Sequence, residues 1–175
     1  MDLGKAFLEE SRRYLGREYA VKIRLCLEQL SDDDLWWRPN ERSNSVGNLL
    51  LHLSGNIRQW IVSGVGGAPD ARRRQAEFDE RGPLPRAELL GRFTAALSDA
   101  DRVLGALDPA VLAQDRQIQG RDTNVFHAIY HVVEHFGMHT GQIMYITKLR
   151  TGRDLGFYRD AGGLAIEDWR KRGGV

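Results

Sequence analysis

Cysteine is almost absent from this sequence: the 175 residues include one, Cys26. One cysteine cannot close a disulfide within its own chain, so we expect a reducing compartment and a cytoplasmic protein. Apolar neighbours such as Ile23 and Leu25 favour a buried structural role for Cys26 over a catalytic thiol. The N-terminal stretch MDLGKAFLEE contains acidic residues and lacks the apolar centre of a signal peptide, which agrees with this interpretation.

Long apolar runs and a large net charge are also missing. No stretch reaches the roughly 20 apolar residues that a membrane-spanning helix needs, so we expect no membrane partner. The net charge is +1, which gives no global electrostatic basis for nucleic-acid binding. We interpret the one basic cluster, Arg72 to Arg74, as a solvated loop, with an anion or partner contact as the alternative. The length predicts a single domain spanning residues 1–175.

Apolar residues recur at helical spacing in four segments, which glycine, proline and polar stretches separate. The predicted helices run from about Leu3 to Leu30, from near Ser45 to about Ser63, from about Pro85 to Ala106, and from near Thr123 or Asn124 to about Leu149. Four helices with two longer connections predict an all-α four-helix bundle.

Shorter elements are predicted between and after these segments. Ser31 followed by Asp34 indicates a capped helical turn. Gly152 stands where a helix C-cap is expected at the end of the fourth segment. We expect a short tail helix at about 164–172 and find no convincing strand pair.

Histidine is scarce but concentrated. Four of the five lie within thirteen residues, at steps of four: His127, His131, His135 and His139. A step of four advances about 40° around a helix, so the four occupy an arc of roughly 120°. His131 and His139 are about 12 Å apart along the axis, whereas a metal–nitrogen bond is about 2.0–2.1 Å. One ion therefore takes one adjacent pair and needs a further ligand from another helix.

The fifth histidine, His52, is the candidate for that further ligand. Asn48 and Asn56 lie one turn on either side of it and form a polar stripe in an otherwise apolar helix. Gln142 extends the histidine stripe beyond His139. Buried polar groups need partners, so a polar stripe on each of two helices indicates a shared polar cavity. A metal site and a set of hydrogen-bonded histidines both fit this pattern, and the spacing leaves the ligand pair open.

The stretches SNSVGNLLLHLSGNIRQWI (43–61) and HVVEHFGMHTGQIMYITKL (131–149) resemble the DinB/YfiT-like superfamily, and most of all its DUF1572 subgroup. DLWWRPNERSNS, RRRQAEFDERG and TGRDLGFYR resemble further segments, so the resemblance covers nearly the whole chain. It implies an up-down-down-up four-helix bundle that is often dimeric, and we therefore expect a homodimer. It also implies a divalent metal held by His52, His135 and His139, with His127 and His131 outside the triad.

Three neutral imidazoles leave an ion its charge and an open position, as in catalytic sites. With zinc or nickel as the expected metal, the resemblance implies a transferase that activates a low-molecular-weight thiol toward a small-molecule substrate. The alternatives are a hydrolase that uses metal-bound hydroxide and a metal-binding or stress-related bundle without turnover. We expect the cofactor or substrate pocket to be lined by Asn48, Asn56, His131 and Gln142.

Overall fold

The computed structural model describes residues 2–82 and 84–172, and within these ranges the chain is mainly helical. The four longest helical stretches are called here the first to fourth long helices. The first comprises Leu3–Arg13, the π-helical Tyr14–Tyr19 and Ala20–Leu27, and the second comprises Val46–Ile57 and the π-helical Arg58–Val65. The third is Arg86–Ala106, and the fourth is Val125–Thr151. These bounds match the four predicted helical segments closely.

Side-chain caps explain where several helices begin and end. Ser45 Oγ accepts from the backbone N–H of Asn48 at 3.2 Å and starts the second long helix. Asn124, rather than Thr123, caps the fourth, since its Oδ1 accepts from the backbone N–H of His127. Gly152 ends that helix in the left-handed conformation, with φ 64°. The predicted turn after Ser31 is present as the helix Asp32–Trp36.

The chain is mainly helical as expected, but the expectation that it has no strand pair is wrong. Strand Asp115–Ile118 pairs antiparallel with strand Arg121–Asn124 just before the fourth long helix. The two residues between them, Gln119 and Gly120, have φ values of 57° and 71°, as a tight hairpin turn requires. Such turns usually carry Asn or Asp where Gln119 stands, so the sequence signal was weak.

The tail also differs from its prediction. Strand Tyr158–Asp160 pairs antiparallel with strand Ala165–Glu167, and only Trp169–Arg172 is helical. Trp169 is buried in the core, which fixes the tail against the rest of the chain.

The long helices pack around one apolar core. The second contacts the third and the fourth, and the first also contacts the third and the fourth. Cys26 is fully buried in this core, and burial raises its pKa to about 11, which fits the structural role expected for it. Within the described residues, no helix is both long and apolar enough to cross a membrane.

The connection between the second and third long helices contains the short helix Arg74–Asp79, which packs on the second long helix. The interpretation of Arg72 to Arg74 as a solvated loop is wrong for Arg72. Its side chain is 4% exposed and pairs with Glu77 at 2.7 Å, because the carboxylate compensates the charge that burial would otherwise leave unpaired. Arg73 and Arg74 are exposed.

Candidate metal centre

Three histidine rings converge between the second and fourth long helices. His52 Nε2 lies 2.8 Å from His135 Nε2, and His139 Nε2 lies 3.2 Å from the same atom. One ligand atom from each of these residues lies within 4.8 Å of the other two. The cross-helix set expected from the sequence is therefore brought together, with the i,i+4 pair on one helix and the single histidine on the other.

The outer nitrogen of His52 is held by an acidic side chain. His52 Nδ1 lies 2.9 Å from Glu77 Oε2, and a carboxylate only accepts hydrogen bonds, so Nδ1 carries the proton. An Arg72 nitrogen also lies 3.2 Å from Nδ1, but it donates to Glu77 Oε2 at 2.8 Å. With its proton on Nδ1, His52 directs the Nε2 lone pair toward the other two rings.

His139 is oriented in the same way from the other helix. Its Nδ1 donates to Gln142 Oε1 at 2.7 Å, three residues further along the helix. This contact places the proton on Nδ1 and leaves the Nε2 lone pair of His139 facing His135. Hydrogen bonding of the outer ring nitrogen is the usual arrangement around metal-binding histidines.

The donor set fits a divalent cation. If His52 and His139 both present Nε2 lone pairs, a proton on His135 Nε2 can satisfy only one of them. A tetrahedral ion with ligands at about 2.0–2.1 Å would hold nitrogens about 3.4 Å apart. His135 Nε2 lies at comparable distances, 2.8 and 3.2 Å, from the other two Nε2 atoms. A cation at the centre would satisfy all three lone pairs at once, so the cluster is compatible with a metal site.

The surroundings favour the uncharged form of His135 and His139. Burial, followed by the neighbouring His139 and His52, lowers the pKa of His135 to about 3. Burial also lowers the pKa of His139. Neutral imidazole is the form that binds metals, so His135 does not have to lose a positive charge before it binds an ion near neutral pH.

Glu77 is held in place by its own partners. Burial opposes its ionisation, but hydrogen bonds from Arg72 and His52 outweigh that effect and its pKa lies below the ordinary value. Arg72 donates to both carboxylate oxygens and to Gln59 Oε1, which anchors the pair to the second long helix. Gly55 makes room for them, because a Cβ there would lie 2.0 Å from Glu77 Oε1.

Comparison with known proteins places the chain in a family. Residues 2–157 match the family model described as "Protein of unknown function (DUF1572)". The chain belongs to the DUF1572 family. None of the curated proteins compared with it matches its sequence. The match includes all three converging histidines and Glu77, and it ends before the strand pair of the tail.

In this DUF1572 chain, the four residues expected to line a pocket make different contacts around the three histidines. Gln142 contacts His139, as described above. Asn56 Nδ2 lies 3.3 Å from His131 Nε2, and the His131 ring stacks on that of His135 with centroids 5.3 Å apart. Asn48 is fully buried and hydrogen bonds to the backbone oxygen of Glu77, so it supports the segment that carries the carboxylate.

Two residues of the site were not predicted from the sequence. Glu77 and Arg72 lie in a charged connection whose composition is typical of solvated loops. The signal that a sequence offers for them is weak, because their role depends on how the connection folds back over the second long helix. His127, in contrast, is exposed and its backbone N–H contacts the Asn124 cap.

Proposed function

We propose that this protein is a metal-dependent enzyme that binds one divalent ion, zinc or nickel, through His52, His135 and His139. The observation that carries the proposal is the convergence of three Nε2 atoms whose lone pairs are directed at one another. Two of the rings have their outer nitrogens held by Glu77 and Gln142, so the cluster is preorganised before an ion arrives.

Three neutral ligands suit a catalytic ion better than a structural one. A set of three protein ligands leaves a coordination position open, whereas structural sites are filled by four. A bound divalent ion would supply Lewis acidity there and lower the pKa of a coordinated thiol or water. Glu77 stays hydrogen-bonded to His52 and keeps the ring aligned.

We propose thiol transfer as the reaction, with a low-molecular-weight thiol as co-substrate. A bound ion would deprotonate a coordinated thiol outright, whereas it would lower the pKa of a coordinated water only to about 7, so that hydrolysis still gains from a general base. Both oxygens of the Glu77 carboxylate are taken by Arg72 and His52, and Glu134, next to His135 in the chain, is exposed. This arrangement supports the transferase over the hydrolase.

The substrate is proposed to enter beside His131. This half-buried ring stacks on His135 and also lines an open cavity of about 400 Å³. His131, Asn56 and Gln142 would then orient the bound molecule or the ligands around it. Other residues at the cavity wall are Trp60, Arg121, Thr123 and Tyr130.

The proposal also covers the fold, the location and the partners of the protein. The pairwise packing of the long helices supports a DinB/YfiT-like, up-down-down-up four-helix bundle in which residues 1–175 form one domain. We propose a cytoplasmic homodimer that acts on a small molecule and requires neither nucleic acid nor a membrane.

Elemental analysis of untagged protein tests the metal site. We expect about one divalent ion per chain in the wild type and loss of that ion in His135→Ala. The matched control is His127→Ala, on the same helix but exposed, which should retain the ion. No stoichiometric metal in the wild type, even after reconstitution, would contradict the proposal.

Spectroscopy of the cobalt-loaded protein tests the reaction class. A small thiol that coordinates the ion should produce a thiolate-to-cobalt absorption band that saturates with concentration. Turnover of thiol-free esters without such a band would favour the hydrolase. Tight metal binding with neither result would leave a metal-binding protein without turnover.

A further inference from the structure

Two side chains of opposite charge line the cavity beside His131. Arg121 belongs to the hairpin that precedes the fourth long helix, and Glu134 belongs to that helix. Among the described residues, neither side chain forms an ion pair, with the other or with a third residue. Two opposite charges that face one cavity without pairing indicate a ligand that brings a partner for each of them.

Both charges act on the same imidazole ring. Burial lowers the pKa of His131, and of the two charges at the cavity Glu134 raises this pKa whereas Arg121 lowers it. Both groups therefore lie near the ring. The His131 ring stacks on that of His135, with centroids 5.3 Å apart. A ligand that meets both charges would lie against His131 and beside one of the proposed metal ligands.

A third charged residue of the cavity wall, Asp122, is directed elsewhere. It stands between Arg121 and Thr123 in a strand, and successive strand residues point to opposite faces. The Asp122 carboxylate accepts from Gln117 Nε2 at 3.4 Å, across the strand pair. Arg121 is therefore the charge that the hairpin directs to the same side as Thr123.

We propose that this cavity binds a small zwitterion of the free amino acid class, with its carboxylate at Arg121 and its ammonium group at Glu134. The planar guanidinium fits a carboxylate, and the Glu134 carboxylate accepts from an ammonium group. Trp60 and Tyr130 provide aromatic surface for an apolar side chain of the ligand. As a substrate site the cavity rests on the proposed function, whereas zwitterion binding itself requires only these side chains.

Three ligands that share a phenyl group test the charge requirement. L-phenylalanine carries both charges, 3-phenylpropionate carries only the carboxylate, and phenethylamine carries only the ammonium group. Calorimetric titration at neutral pH should give L-phenylalanine a dissociation constant at least about tenfold below those of the other two, because each charged contact adds to its affinity. Equal dissociation constants for the three ligands, or no measurable binding of L-phenylalanine, would overturn the proposal.

Single substitutions assign each contact. Glu134→Gln should raise the dissociation constant of L-phenylalanine at least about tenfold and leave that of 3-phenylpropionate unchanged, since only the ammonium contact is lost. Arg121→Gln should weaken L-phenylalanine similarly and leave phenethylamine unchanged. The controls Asp115→Asn and Arg116→Gln lie on the other strand of the hairpin, outside the cavity wall, and should alter none of the three affinities. Variants that weaken all three ligands equally would contradict the assigned contacts.

The metal-free protein separates this proposal from the proposed function. We expect the same charge selectivity with and without zinc, because neither Arg121 nor Glu134 is a proposed metal ligand. A chain that holds no metal but prefers L-phenylalanine would retain the zwitterion site and lose the metal-dependent reaction. A chain that holds one ion but binds the three ligands equally would lose the zwitterion site and retain the metal centre.

Discussion

Glu77 Oε2 lies 2.9 Å from His52 Nδ1, although the two residues belong to parts of the chain with different character. His52 lies in the middle of a buried helix, and Glu77 lies on a short helix of the connection that follows it. The contact links the histidine cluster to this connection. Any change that moves the connection should therefore alter metal binding without removing a ligand.

Replacing Glu77 by glutamine tests this link directly. Glu77→Gln keeps the size of the side chain but removes the charge that fixes the His52 ring. We expect metal affinity to fall by about 10–100-fold, the usual effect of losing the partner of a ligating histidine. Competition with a chromophoric chelator measures the affinity. Asp79→Asn, an exposed change on the same short helix, is the control, and equal affinity in both variants would contradict the assigned role.

Gly55→Ala, a change on the second long helix, should also lower metal affinity, because it displaces the Glu77 side chain. The new methyl group would lie 2.0 Å from Glu77 Oε1 and 2.9 Å from Arg72 Nε, so the ends of these side chains must move. We expect a drop in metal affinity comparable to that of Glu77→Gln, since the carboxylate is pushed from His52. The measurement is again chelator competition.

Gly91→Ala provides the control for that experiment. A Cβ at Gly91 meets nothing within 4 Å, so the substitution should leave metal affinity unchanged. It should stabilise the protein by about 0.5–1 kcal/mol, as expected for glycine to alanine within a helix. If Gly55→Ala also binds metal normally, Glu77 tolerates displacement and the geometry around His52 is less constrained than proposed.

The long helices and the histidine triad could be predicted because their signals are local and periodic. His135 and His139 are one turn apart, and His52 is the only histidine outside the stripe. The spacing alone did not identify this pair as the ligands, whereas the resemblance to the DinB/YfiT-like superfamily did. Caps such as Asn124 are also readable, because a cap acts within three residues.

The other features of the fold and the site could not be predicted, because they depend on contacts that sequence spacing does not encode. Arg72 and Glu77 have the composition of a solvated loop, and only the folded chain shows that they bury each other's charge beside Gly55. The hairpin at Gln119 and Gly120 was missed because glutamine is an unusual residue for its positive φ.

Acid should destabilise the metal-free protein well above the pH at which carboxylates titrate. The folded pKa of His135 is about 3 and its unfolded value is about 6.5. Between these values the unfolded chain binds more protons, so stability falls as the pH is lowered from about 6.5. One such histidine contributes a slope of at most about 1.4 kcal/mol per pH unit.

Urea unfolding at pH 7, 6 and 5 in the presence of a chelator measures this slope. His135→Gln should give a shallower decline than the wild type, because one depressed histidine has been removed. His127→Gln, at an exposed position, should retain the wild-type slope. Parallel slopes in all three proteins would show that the His135 ring is protonated as readily in the folded state as in the unfolded one.

The tail beyond the family match is expected to contribute strongly to stability. The match ends at residue 157, yet Trp169 is 1% exposed and Lys22 Nζ lies 4.6 Å above its ring. Trp169→Ala should therefore destabilise the protein by about 3–5 kcal/mol, the usual cost of emptying a buried aromatic site. Trp169→Phe should cost less, because it keeps a ring in the core and removes an indole N–H that has no partner there. Leu164→Ala, at a position that is 70% exposed, should stay within about 0.5 kcal/mol of the wild type. If denaturant unfolding gave equal stabilities for Trp169→Ala and Leu164→Ala, the tail would not be part of the cooperative core.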